Sequence, residues 1–85
     1  MTRFTVVWSE PAQNRLATIW IGAPDRNAVT AAANAIDAAL ASDPADKGTP
    51  VHEGLRAITI PPLHVLFSVD EPDRLVRIVS VRTNA

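Results

Sequence analysis

The chain has no cysteine and no tyrosine, a single lysine (Lys47) and three glycines in 85 residues. Without cysteine there is neither a disulfide framework nor a thiolate metal site, so apolar packing alone must hold the fold. A reducing cytoplasm suits such a chain. Nowhere do about 18 apolar residues run consecutively, and no long apolar run follows Met1-Thr2-Arg3-Phe4. Neither a secretion signal nor a membrane span is expected. A basic excess is missing too. Residues 1–50 carry four cations (Arg3, Arg15, Arg26, Lys47) against five acids, residues 51–85 carry four of each sign, and the net charge is −1. Nucleic-acid binders ordinarily show a surplus of positive charge that displaces counterions from phosphates, so a generally basic protein is excluded and only a local patch is left. Seven of the eight cations are Arg, which favours forked contacts with carboxylate or phosphate.

What is there is enough for one small domain spanning residues 1–85, which at this size hides about 60–65% of the surface of its unfolded chain. From Gly54 to Arg82 β-branched and large apolar residues crowd into short runs, interrupted by Pro61-Pro62 and by Asp70-Glu71-Pro72-Asp73. This pattern predicts a three-stranded antiparallel meander. In its middle run Leu63, Val65, Phe67 and Val69 share one face and His64, Leu66 and Ser68 the other, the period of two of a half-buried strand. A sheet with one apolar face needs a second layer to cover it.

The preceding segments supply that layer. Phe4–Trp8 reads as a first strand, and its lack of alternation points to burial on both faces or to an edge covered by a helix. Ser9-Glu10-Pro11 is a helix start, with a capping hydroxyl, an acid at the positive end of the dipole and Pro in the first turn. Ala12, Leu16, Ile19 and Trp20 then share a face up to about Ile21, where Gly22 ends the helix. After the break Gly22-Ala23-Pro24, Asp25 caps a second helix from Asn27 to about Ser42 that turns back beside the first. Its inner face is Val29, Ala32, Ala33, Ile36, Ala39 and Leu40. Asp43–Pro50 concentrates Pro, Gly and Asp without periodicity and reads as a surface loop. The fold class is α+β, with an N-terminal strand and a helical hairpin on one face of an antiparallel sheet completed by the C-terminal meander.

That order carries particular residues with it: Val7-Trp8-Ser9 before a helix, Ala12 and Leu16 with Ile19-Trp20, Ile36-Asp37 and Leu40, and Asp43-Pro44 with Gly48. Leu55-Arg56, Val65-Leu66-Phe67 and the closing Val76–Val81 follow. Together they resemble the RelE/ParE superfamily of toxins from bacterial type II toxin-antitoxin modules. The resemblance implies a cytoplasmic protein that inhibits growth, serves plasmid stabilisation, and is held inactive by a cognate antitoxin protein packed on its surface. It also implies a choice of target: RelE-like members cleave mRNA in the ribosome, whereas ParE-like members inhibit DNA gyrase. No cofactor is implied, and a homodimer is compatible with the resemblance.

RNA cleavage through the 2′-hydroxyl needs a group to take its proton, charge to stabilise the phosphorane, and an acid for the leaving oxygen. RelE-like nucleases place several Lys and Arg side chains on the exposed sheet face, often with a Tyr or His near the C-terminus. This chain departs from that pattern: it has no Tyr, and Arg82-Thr83-Asn84-Ala85 follows where the pattern would continue. The set that remains is His64 as base or acid, with Arg56 on the neighbouring strand and Arg82 as phosphate clamps.

Each of these residues also has an ordinary structural reading. His64 can be a strand histidine with common hydrogen bonds, and Arg56 can pair with Glu53 or Asp70. Arg74, Arg77 and Arg82, which punctuate the last strand, can be a solvated face that discourages edge pairing. His52 beside Glu53 reads as a solvated edge, and Trp8 and Trp20 as core packing. No metal-ligand cluster, phosphate-binding Gly loop or nucleophile motif is present in the sequence. Three classes of function follow from these readings. The first is a toxin that binds a protein such as gyrase, which needs no basic excess; the second is an mRNA endonuclease with a reduced site; the third is a non-toxic binding module of the same fold. The antitoxin is expected on apolar surface left by the helical layer, including Ala-rich parts of the second helix.

Overall fold

The computed structural model describes residues 3–52 and 54–83. Glu53, offered above as a neighbour of His52 and a partner of Arg56, lies outside the described residues. The elements run β1 (Thr5–Trp8), α1 (Glu10–Gly22), α2 (Arg26–Leu40), a short 3-10 turn (Pro44–Asp46), β2 (Thr49–His52), β3 (Leu55–Ile60), β4 (Leu63–Asp70) and β5 (Leu75–Thr83). They form one sheet ordered β1-β5-β4-β3-β2, with both helices packed on one face. No helix is long and apolar enough to cross a membrane among the described residues.

The meander forms as the alternating pattern dictates. Leu63, Val65 and Phe67 of β4 are completely buried, beside Val76, Ile78 and Val81 of β5. These side chains pack against Val29, Ala32, Ile36 and Leu40 of α2 and against Ala12 and Ile19 of α1. At about 1.5–3 kcal/mol for each large side chain removed from water, this cluster is the main stabilising term. Both helix caps form as expected: Ser9 Oγ accepts from the Ala12 N–H at 3.3 Å and Asp25 Oδ1 from the Ala28 N–H at 3.1 Å.

Four readings are corrected. The sheet is mixed, because β1 lies parallel to β5, with Thr5 opposite Leu75 and Trp8 opposite Ile78. β4 is flanked on both sides by its meander neighbours, so the open edge of β5 is where β1 joins. Second, the stretch after the 3-10 turn is not all loop: β2 adds a fifth strand against β3, with Thr49 opposite Ala57 and Pro50 opposite Arg56. Gly48 makes this approach possible; its φ is +67°, and a Cβ there would run into the Ala57 carbonyl. Pro50 is tolerated because β2 is an edge strand. Third, α1 includes Gly22, and α2 stops at Leu40 instead of Ser42. The Ala41 carbonyl accepts the Phe4 N–H at 2.9 Å and Ser42 bridges to Arg3, so the chain entering β1 takes over where α2 ends.

Fourth, Trp20 is not core. It is 42% exposed and leans toward α2, where its indole donates to Thr30 Oγ1 at 3.1 Å. The Arg26 guanidinium stacks 4.9 Å from the ring centroid and also donates to the carbonyls of Trp20 and Ile21 at the end of α1. Trp8 is half-buried and packs at the margin of the core.

One irregularity in β5 decides which side chains share a face. Phe67 pairs with Ile78 but Leu66 with Ser80, leaving Val79 as an unpaired bulge residue. The extra residue resets the alternation. Val76, Ile78 and Val81 therefore all point to the helices, while Arg77, Ser80 and Arg82 share the outer face.

Candidate functional site

The outer face of the sheet carries the polar residues that the core excludes. His64 is half-buried there, in register with Thr59 on β3 and Arg82 on β5. Thr59 Oγ1 lies 2.7 Å from His64 Nδ1, a contact that either imidazole tautomer satisfies. A Thr hydroxyl thus orients the ring from one side, and an exposed guanidinium stands across the ladder on the other. Chemically, such a set offers one proton carrier and one anion clamp.

Arg56 does not belong to it. Directly opposed residues in an antiparallel pair project to the same face, and Arg56 is opposite Phe67, so its side chain leaves from the helix side. There its Nε donates to the Lys47 carbonyl at 2.9 Å and its Nη2 to the Gly48 carbonyl at 3.2 Å, fastening the loop that leads into β2. The expected proximity of Arg56 to His64 is therefore corrected by register. Lys47 is used similarly, with Nζ donating to the Ser42 carbonyl at 2.9 Å. Three cations, Arg26, Lys47 and Arg56, serve main-chain carbonyls of their own chain.

The other predicted positions are dispersed. Arg74 sits in the β4–β5 turn with φ +52° and not in the last strand. Its carbonyl accepts the Thr5 N–H at 2.9 Å, tying that turn to β1. Arg77 shares the outer face with Arg82 but lies opposite Ser68, toward the other end of the strand. His52 is exposed on the edge strand β2, opposite Leu55. Asp70, also exposed, lies at the end of β4 opposite Leu75. Among the described residues no three His, Cys, Asp or Glu side chains are grouped to hold a metal ion.

A second feature lies on the helical side. Between α1 and α2, beside β1, runs an open groove of about 830 Å³ whose surface is mostly apolar, including Trp8, Leu16, Ala17, Trp20, Ile21 and Ala33. The small side chains of Ala17 and Ala33 leave the trough, and Trp20 and the 65%-exposed Ile21 close one end. Gln13, Thr30, Asn34 and Asp37 supply its polar atoms. Asp37 Oδ1 accepts the Trp8 indole N–H at 2.8 Å, and Gln13 Nε2 donates to the Trp8 carbonyl at 2.8 Å.

Sequence reasoning passed over Thr59 and gave Asp37 no role beyond its place in the family pattern. The signal for Thr59 was a lone polar residue between Ile58 and Ile60, which marks the outward position of a strand. The signal for Asp37 was an acid in an Ala-rich helix close to its C-terminus, where a carboxylate opposes the helix dipole.

No family model matches the chain, and no curated protein matches it in sequence. Solved structures do resemble it. It is similar to a chain of the toxin-antitoxin complex RelBE2 from Mycobacterium tuberculosis, with a TM-score of 0.80 and 19% identity, covering 98% of this chain and 93% of that one. It is similar to a chain of the chromosomal ParDE toxin-antitoxin system from P. aeruginosa, with a TM-score of 0.68 and 16% identity over 98% of each chain. A conserved hypothetical protein from Helicobacter pylori gives a TM-score of 0.62 at 13% identity, covering 94% and 93% respectively. The architecture is RelE/ParE-like, α+β with two helices on a five-stranded mixed sheet.

Proposed function

We propose that this RelE/ParE-like chain is the toxin of a type II toxin-antitoxin module, acting in the cytoplasm by binding a protein target, with DNA gyrase as the candidate. A cognate antitoxin neutralises it by laying a helix into the groove between α1 and α2. The likeness to chains of the RelBE2 and ParDE complexes supports the toxin reading. The observation that carries the protein-binding mechanism is the dispersal of the cations. Arg56 leaves the sheet on the face opposite His64, and Arg26 and Lys47 are engaged with main-chain carbonyls. Stabilising a phosphorane calls for converging positive charge. The outer face offers Arg82 beside His64, with Arg77 further along, on a chain of net charge −1.

Controlled induction of this chain alone in a bacterial host tests the proposal, with a His64→Ala/Arg82→Ala variant beside it. Growth arrest that survives the double substitution, together with inhibition of gyrase supercoiling by the purified chain, is the expected result. Arrest that the double substitution abolishes, with mRNA cut at codon-spaced positions, would transfer the assignment to the endonuclease reading, for which the Thr59–His64 contact and the adjacent Arg82 are the favouring geometry. A soluble, folded chain that never arrests growth would be a binding module.

A further inference from the structure

Asp37 is the one ionisable side chain among the described residues lining the apolar groove. It stands in the last turn of α2, where no basic residue accompanies it. A carboxylate there faces the negative end of the helix dipole, so the position costs the isolated helix stability. The Trp8 indole compensates at Oδ1, while Oδ2 takes no hydrogen bond among the described residues. Carboxylate and helix end together make this end of the groove electronegative, and the walls around it are apolar. Water excluded by a docked partner would strengthen any charge pairing made at that point.

Resting on the antitoxin reading above, we propose that Asp37 determines partner specificity: the groove takes an amphipathic helix that carries a Lys or Arg side chain onto the Asp37 carboxylate. The spacing on the partner follows from α2. Thr30, which holds the Trp20 ring, is seven residues before Asp37, roughly 10.5 Å along the helix at 1.5 Å per residue. A helix lying alongside α2 therefore needs its basic residue about seven positions from the apolar residue that packs on Trp20 and Ile21. A partner with an acid in place of that cation would bury two like charges and is rejected. A second copy of this chain is disfavoured, because groove-to-groove docking about a two-fold axis would bury each Asp37 carboxylate with no basic residue among the described groove-lining residues to pair with it.

The test is a display selection on the folded chain with a library of helical peptides, randomised on one face. Winning peptides should carry Lys or Arg about seven positions from a large apolar residue. Asp37→Asn, which keeps an acceptor for the Trp8 indole but removes the charge, should weaken them about tenfold. Asp37→Lys should prefer the same peptides with Glu in place of the cation. Circular dichroism and unfolding of both variants establish that each remains folded. Winners without a basic bias, or equal binding to wild type and Asp37→Asn, would overturn the proposal. So would a groove that selects no peptide, or a dimer in sedimentation that Ala33→Glu dissociates. Growth arrest on induction of the wild-type chain alone tests the toxin reading by itself, so arrest by the wild type would leave that reading standing even if the specificity proposal fell.

Discussion

Arg56 stands directly opposite Phe67 in the β3–β4 ladder, while His64, three residues before Phe67, stands opposite Arg82. One sheet thus separates two arginines that the sequence presents as equivalent. Arg56 is a fastener on the helix side and Arg82 an exposed guanidinium on the outer side.

Replacing Arg56 should therefore act on stability. Arg56→Ala removes both hydrogen bonds to the Lys47 and Gly48 carbonyls, a loss of about 1–3 kcal/mol. For a domain of this size each kcal/mol lowers Tm by about 4–8 °C. His64→Ala, on the half-exposed face, should stay within about 1 kcal/mol of wild type. Urea unfolding of the two variants checks the contrast, and equal effects would contradict the placement of Arg56.

Gly48→Ala should be far more damaging than Gly54→Ala. Both glycines have positive φ, at +67° and +79°, but a Cβ on Gly48 meets the Ala57 carbonyl whereas one on Gly54 meets nothing. Backbone strain alone costs about 1–2 kcal/mol and applies to both. The added clash should detach β2, seen as faster hydrogen exchange at the amides that β2 and β3 share.

Phe67→Ala should leave the domain close to its unfolding threshold. The ring is completely buried at the centre of the core, and such truncations cost about 3–5 kcal/mol against a total of about 5–15 kcal/mol for a small domain. Leu66→Ala, one residue away on the outer face and half-buried, should cost clearly less. Thermal unfolding of the pair reads out the two faces of β4 directly.

The two tryptophans should report separately on the groove. In Trp8→Phe the remaining fluorophore, Trp20, is 42% exposed, so acrylamide should quench it readily. A helix docked in the groove should shield it and shift its emission to the blue. An emission unchanged at saturating partner would place the partner elsewhere.

Local chemistry was enough to write much of this protein from its residues. The caps at Ser9 and Asp25, the apolar stripe of α2 and the alternation of Leu63, Val65 and Phe67 each follow from interactions within a few residues, so the helices, the meander and most of the core were legible in the sequence. Tertiary structure decided whatever depended on register or on a distant neighbour. β2 was hidden because Thr49–His52 is exposed and has no alternating pattern; its strand form comes from pairing with β3 and from the contact at Gly48. Trp20 has the spacing of a core residue, yet Thr30 and Arg26, on the next helix, draw it to the surface. Strict alternation from Val76 would align it with Ile78, Ser80 and Arg82; the bulge at Val79 instead turns Val81 inward and sends Arg82 to the face of His64. Arg56 and His64 are eight residues apart in the sequence and on adjacent strands, but whether two such residues meet is set by the hairpin register, which the parity of one pairing decides.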